Sequence, residues 1–341
     1  MTIQKQDAFF GCLLGGAVGD ALGYPVEFMN EASIYSRFGP DGIQRLDQAG
    51  QPALISDDTQ MTLFAVEGIL YAKAAGTALH KALWTAYLEW LGTQGDQSRM
   101  DPEHPKTTLY REPRLHARRA PGNTCLASLH HSRHGGTPEE PVNNSKGCGT
   151  VMRAAPFGLA YPEPEQAFQS AVCDGALTHG HPLGYLSSGG LALMVREIVY
   201  GASQGERLEA VLLRGAERGD GDFRALLLPD IRRAVELALD PAVSDLEGVH
   251  ALGQGWVAEE ALYIAVFCAV RHQDDFCAAL RAAVNHKGDS DSTGAVCGNI
   301  LGAWLGREGV EAAFDLKDLE LADVIVETAQ TLFQSTVGDG V

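Results

Sequence analysis

The chain has 341 residues, 45% of them hydrophobic and 21% charged, which suits a sizeable folded core and argues against disorder. Its formal net charge is −18, with a sequence pI near 4.9. That excludes charge-driven binding of a nucleic acid, because the field of the whole molecule repels a phosphate backbone. A small anionic ligand stays open, since backbone amides and bound metals outweigh net charge locally. The seven cysteines show no CxxC spacing and read as reduced thiols of a cytoplasmic protein, neither a disulfide framework nor a zinc site. The N-terminus lacks a basic region followed by an apolar one. No stretch reads as long and apolar enough to span a bilayer, so no membrane partner is expected.

In chain order, the first pattern is helical. Phe9, Phe10, Leu13, Leu14, Ala17, Val18, Ala21 and Leu22 recur at three- and four-residue spacing. Gly11, Gly15, Gly16 and Gly19 lie among them and cost helix propensity. The usual compensation is close approach of a neighbouring helix or a ligand. Residues 43–55 offer short pieces that read as extended. Helical patterns follow over 59–75 and 79–91. Residues 92–150 are irregular, rich in proline, and carry the basic cluster Arg111, Arg114, Arg118 and Arg119. A segment of this kind is either a functional loop or a solvated insertion. Its arginines either meet an acidic partner or are held within an acidic protein. Helical patterns resume over 165–177, 183–201, 205–218, 224–239, 256–272, 274–285, 292–305 and 317–335. Strand-like alternation is almost absent, so the fold class is all-α. Without a repeat or a linker, one domain over 1–341 is the simplest organisation, with a monomer as the default.

Two short motifs stand out. Ser56-Asp57-Asp58-Thr59 and Gly288-Asp289-Ser290-Asp291-Ser292-Thr293 each precede an apolar helical pattern. Taken alone, each reads first as a helix cap, since Asp, Ser and Thr are favoured there and acids complement the helix dipole. Capping needs one side chain, however, and here two acids stand together or one residue apart, twice. Four converging carboxylates repel one another unless a divalent cation lies between them. Carboxylate and hydroxyl oxygens suit Mg²⁺, Ca²⁺ or Mn²⁺ better than zinc.

Glu27 follows the first helical pattern and is either an acid beside such metals or an exposed loop acid. Gly147-Cys148-Gly149-Thr150-Val151-Met152 opens an apolar helical run, where free amides bind phosphate oxygens, although it matches no P-loop or dinucleotide fingerprint. Cys148 has no partnered histidine and reads as a small inert residue. His179 is either a ligand contact or a loop histidine. For Trp256, core packing is the ordinary expectation and stacking on a planar ligand the other.

Together, Gly11 through Gly23, Ser56-Asp57-Asp58-Thr59-Gln60-Met61, Pro121-Gly122-Asn123-Thr124, Gly147 through Pro156, Thr178-His179, Gly253-Gln254-Gly255-Trp256-Val257 and Asp289-Ser290-Asp291-Ser292-Thr293 resemble the ADP-ribosylglycohydrolase family. That family contains dinitrogenase-reductase-activating glycohydrolases and ADP-ribosylarginine hydrolases. The resemblance implies a compact orthogonal all-α fold with two Mg²⁺ (or Mn²⁺) ions. It implies Ser56, Asp57, Asp58, Asp289, Asp291 and Ser292 as metal ligands. It places Glu27 beside the scissile ribose, Gly147, Cys148, Gly149, Thr150, Val151 and Met152 on the diphosphate, His179 on the ligand and Trp256 on its adenine side. Thr150 stands where the family often has glycine, which adds bulk beside the ligand.

The implied reaction is hydrolysis of the bond between ADP-ribose and an arginine of a modified protein. The Asp-Ser-Asp-Ser-Thr and Gly-Gln-Gly-Trp-Val forms look more like the arginine-specific branch than the serine-specific one. Metals would orient ribose hydroxyls and activate water. Asp58 first and Glu27 second would move protons. A hydrolase of another ADP-ribose linkage and a non-catalytic ADP-ribose-binding module are the alternatives.

Overall fold

The computed structural model describes residues 4–337. Its α-helices among these are α1 (Lys5–Gly23), α2 (Glu31–Phe38), α3 (Leu46–Ala49), α4 (Asp57–Ala75), α5 (Leu79–Thr93), α6 (Asn123–His131), α7 (Ala155–Ala160), α8 (Pro164–Ala176) and α9 (Pro182–Arg196). They continue as α10 (Leu208–Ala216), α11 (Gly221–Leu226), α12 (Leu228–Leu239), α13 (Asp245–Leu252), α14 (Ala258–Arg271), α15 (Phe276–Val284), α16 (Ser290–Ala313) and α17 (Ala322–Val337). The all-α expectation holds: the described residues form no strand, only the isolated bridges Ala53–Leu319 and Gly147–Val257.

The long helices follow the apolar periodicity, and the departures have local causes. Residues 43–55 contain α3 and one bridge residue, so most of the expected extended character is absent. The pattern over 224–239 divides into α11 and α12 at Leu227, because Pro229 in the first turn of α12 lacks an N–H and restricts the residue before it. The pattern from 292 runs on past 305 to Ala313, across a kink at Gly306, whose φ of 74° is left-handed. Helix α17 starts only at Ala322, after Leu321 at a φ of 60°. Helices α2, α6 and α13 are too short to show a period and were not expected.

The closest packing joins α1 to α16. Gly11, Gly15, Gly19 and Gly23 of α1 face Gly302, Gly298, Gly294 and Ser290 of α16. A Cβ on Gly19 would stand 2.0 Å from the Gly294 carbonyl oxygen, and one on Gly15 2.4 Å from that of Gly298. Only bare backbone fits there. The propensity lost at these glycines is thus offset by helix–helix contact, as expected of one of the two possibilities. The same packing corrects the membrane expectation. Lys5–Val26 is long and apolar enough to cross a bilayer, with a mean hydropathy of 1.3, but 89% of that window is buried inside the molecule. Its apolar surface serves the core. Around this pair a continuous apolar cluster runs from Phe9 to Leu332, and α1 is pinned alongside the first turn of α16.

The arginines of the 92–150 segment are partly accounted for within the chain. Arg114 pairs with Glu112 and Asp323, and Arg119 with Glu320.

Candidate metal centre and ligand cavity

The two aspartate motifs meet. Ser56 is the N-cap of α4, its Oγ accepting from the Asp58 amide at 3.1 Å. Asp289 is the N-cap of α16, its side chain accepting from the Ser292 amide. The capping reading is therefore correct for these two side chains; Asp291 Oδ1 shares the Ser292 amide at 3.0 Å, and Asp57 and Asp58 are left without a capping duty. Ser292 Oγ donates to Asp58 Oδ2 at 2.8 Å, joining positions 234 residues apart. Glu27, in the turn after α1, offers a carboxylate oxygen that lies within 4.8 Å of one from Asp289 and one from Asp291. Asp57, Asp58, Asp289 and Asp291 are all buried.

Electrostatically this cluster is one-sided. Burial, then Asp291, Asp289, Asp57 and Asp20, push the Glu27 carboxyl up to about 10. Asp58 is raised by burial and by Asp291, Asp20, Asp57 and Asp289. Asp57 and Asp289 are raised as well, burial being the largest cause for each. Among the described residues, no ion pair involves any of these carboxylates. Glu27 Oε2 is buried without a hydrogen-bond partner. An all-oxygen donor set, buried, repulsive and lacking a cation of its own, fits one or more hard divalent ions.

Beside the carboxylates lies a cavity of about 160 Å³. Glu27, Asp57, Asp58, Asp289, Asp291 and Ser292 line one side, and Gly147, Cys148, Gly149, Met152 and His179 another. Thr150 and Val151 do not reach it. Both are fully buried, and Thr150 Oγ1 donates to the Gly184 carbonyl at 2.9 Å, so its bulk points into α9 and away from a ligand. Ser56 is also behind the wall, fully buried under its cap. Cys148 Sγ donates to Asp289 Oδ2 at 2.7 Å, and burial with Asp289 and Asp58 beside it raises the thiol, which fits an unreactive residue. Trp256 overturns the core-packing expectation. It is 39% exposed and stacks on the exposed ring of Phe28 at 5.6 Å between centroids. It lines a neighbouring cleft with Gln254 and Lys287, outside the cavity itself. A larger cleft of about 810 Å³ between α4 and α17 holds none of the expected site residues.

The family model described as ADP-ribosylglycohydrolase matches residues 1–340. The chain belongs to the ADP-ribosylglycohydrolase family. Members of this family are hydrolases that act on glycosidic bonds of ADP-ribosylated substrates. An ADP-ribosyl-[dinitrogen reductase] glycohydrolase from Rhodospirillum rubrum is 27% identical over 317 residues, covering 91% of this chain and 89% of that protein. An ADP-ribosylhydrolase ARH3 from Mus musculus is 24% identical over 363 residues, covering 96% and 92%. A solved ADP-ribosylglycohydrolase-related protein complex is 26% identical with a TM-score of 0.69, covering 98% of this chain and 99% of its own.

In this member of the ADP-ribosylglycohydrolase family, sequence reasoning missed Asp20. It is fully buried on α1, accepts from the Ser56 amide at 3.0 Å and the Thr59 amide at 3.1 Å, and pairs with the Thr59 hydroxyl. It thereby fixes the first turn of α4. Burial and Asp291 raise it to about 7, against the pull of the Thr59 and Ser56 hydrogen bonds. A lone acid in the otherwise apolar run 8–23 was the available signal. Gly122 was quoted only as part of a motif, yet its amide donates to Asp57 Oδ2 at 3.0 Å. It immediately precedes α6, whose Asn123, Thr124 and Cys125 line the cavity.

Proposed function

We propose that the chain is a Mg²⁺-dependent (or Mn²⁺-dependent) hydrolase of the N-glycosidic bond between ADP-ribose and arginine on a modified protein. The observation that carries the metal part is the convergence of six acids, Asp20, Asp57, Asp58, Asp289, Asp291 and Glu27, with no ion pair to a cation among the described residues. Asp57, Asp58, Asp289 and Asp291, with the hydroxyls of Ser56 and Ser292, would hold two ions. When bound, such ions lower the pKa of a water and orient hydroxyl groups. The chain's own residues do the rest. Asp58 and Glu27 both face the cavity, and each can take up or release a proton there. Asp58 Oδ2 is engaged by Ser292, whereas Glu27 Oε2 is free, which favours Glu27 for that step. The glycine backbone at 147–149 with His179 would bind the diphosphate, and the Phe28–Trp256 stack would flank the adenine side.

The arginine linkage is supported by the Asp-Ser-Asp-Ser-Thr form of the second motif. The unpaired state of all seven cysteines supports action in the cytoplasm. The test is linkage-resolved. Arginine- and serine-ADP-ribosylated peptides are incubated with the chain, with and without EDTA. Intact ADP-ribose released from the arginine peptide alone, and only without EDTA, is the expected result. Release from the serine peptide alone would replace the linkage assignment, and EDTA-insensitive turnover would remove the metals.

A further inference from the structure

His179 forms part of the cavity wall and is 1% exposed. Its two ring nitrogens have different surroundings. Nδ1 lies 2.9 Å from Thr178 Oγ1. Nε2 has no hydrogen-bond partner among the described residues. A Cβ on Gly147 would stand 3.2 Å from this atom, so the bare glycine leaves room for a ligand beside it.

Thr178 is itself fully buried, and its hydroxyl lies 3.0 Å from Arg153 Nη2. A guanidinium carries donors only, so Arg153 donates and the hydroxyl oxygen accepts. That leaves Thr178 one proton of its own to place. The acceptor that the structure gives it is His179 Nδ1. Arg153 cannot turn away to change this order. Its Nε donates to Asp174 Oδ2 at 2.9 Å, its Nη2 to the Asp174 carbonyl at 3.0 Å, and it lies over the Tyr87 ring at 4.5 Å.

We propose that Arg153 and Thr178 fix the tautomer of His179, so that the neutral imidazole carries its proton on Nε2 and donates it to an acceptor oxygen of the bound ligand. The opposite tautomer would aim two donors, guanidinium and imidazole, at one hydroxyl, and would leave the Thr178 proton without an acceptor in a buried place. A hydroxyl that accepts from a cation is also the better donor onward. Burial, and after it the Arg153 charge, hold the imidazole down at about 3, in keeping with a ring that stays neutral. Thr178 and Arg153 are positioning residues here; His179 is the group that touches the ligand. Only the ligand's identity as ADP-ribose rests on the functional reading above. The direction of the proton does not.

The experiment uses the full chain with ¹⁵N-labelled histidine and long-range ¹H–¹⁵N correlation. The His179 signals are assigned by their loss in His179→Gln. The expected pattern is a pyrrole-type Nε2 and a pyridine-type Nδ1, unchanged between about pH 6 and 8. Thr178→Val, which keeps the size and removes the hydroxyl, is expected to lose that pattern and to weaken ADP-ribose binding by roughly tenfold in calorimetry. Thr178→Ser is expected to restore both. A wild-type Nδ1–H pattern overturns the proposal, and so does a folded Thr178→Val variant with an unchanged tautomer. If Thr178→Val does not fold, the wild-type spectrum decides alone. Absence of ADP-ribose binding to a wild-type chain with the expected tautomer would refute the functional reading and leave the relay standing.

Discussion

One group of buried charge lines the cavity and another stands behind its His179 wall, and the two are built in opposite ways. Arg153 and Asp174 are both fully buried and meet at 2.9 Å, with the Tyr87 hydroxyl also donating to Asp174. Each charge has its opposite inside the chain. Asp57, Asp58, Asp289 and Asp291 are buried almost as deeply, Asp20 completely, and among the described residues they meet other acids, hydroxyls, a thiol and amides. A buried charge costs several kcal/mol unless it is paired. The chain pairs the charge that holds its framework together. At the start of α4 and α16, among the described residues, it leaves the acids without a cation.

The largest effect should come from breaking the paired group. Arg153→Met leaves Asp174 buried alone and should cost about 3–5 kcal/mol in urea unfolding. The unpaired group should respond with the opposite sign. Asp291→Asn removes one repelling charge, so without metal its melting temperature should rise above that of the wild type. Wild type should gain about 2.7 kcal/mol when Mg²⁺ stands at a hundred times its dissociation constant. Asp291→Asn should lose most of that gain. If instead Asp291→Asn destabilises the metal-free chain, the acids support one another without an ion and the contrast between the two groups collapses.

What the sequence made legible follows from distance along the chain. The helices were readable because apolar spacing is local. The clustered acids were readable because each motif packs two acids into a few residues. The meeting of Ser292 with Asp58 was not readable, since it depends on the glycine contact of α1 with α16 bringing residues from both ends together. Asp20 stayed hidden for the same reason: its partners Ser56 and Thr59 are 36 and 39 residues away. Thr150 went wrong on orientation. The family resemblance put it on the diphosphate, but its side chain turns to the Gly184 carbonyl. For Trp256 the prior for a large apolar ring favoured the core, and the neighbouring Phe28 that keeps it company at the surface lies more than 200 residues earlier.

A smaller and graded effect separates the two groups by pH. Glu27 is raised to about 10 and Asp20 to about 7, above their ordinary values of 4.5 and 3.8. Between the unfolded and folded values the native state holds protons that the unfolded chain has released, so their contribution to stability falls as pH rises. It is fully present below about pH 4, fades through pH 7 as Asp20 ionises, and continues to fade toward pH 10 as Glu27 does. Melting of the metal-free chain across this range should show that decline, and Glu27→Gln should flatten its upper part. Saturating Mg²⁺ should reverse the trend, because its ligands must be deprotonated to bind. A metal-free wild type as steep as its Glu27→Gln variant above neutrality would remove Glu27 from the cluster.

The smallest effect should be at the surface, where charge is paired but wet. Arg114 bridges Glu112 at 2.8 Å and Asp323 at 2.9 Å, and its side chain is 47% exposed. Solvent screens both contacts, so Arg114→Ala should cost no more than about 1 kcal/mol, and less in high salt. The same measurement bears on the basic cluster of the 92–150 segment. If turnover of an ADP-ribosylated protein substrate by Arg114→Ala matches that of wild type, Arg114 serves only to hold the segment against α17. A loss of turnover on a modified protein, but not on a modified peptide, would assign this arginine to protein recognition, with Asp323 as the acid it gives up to do so.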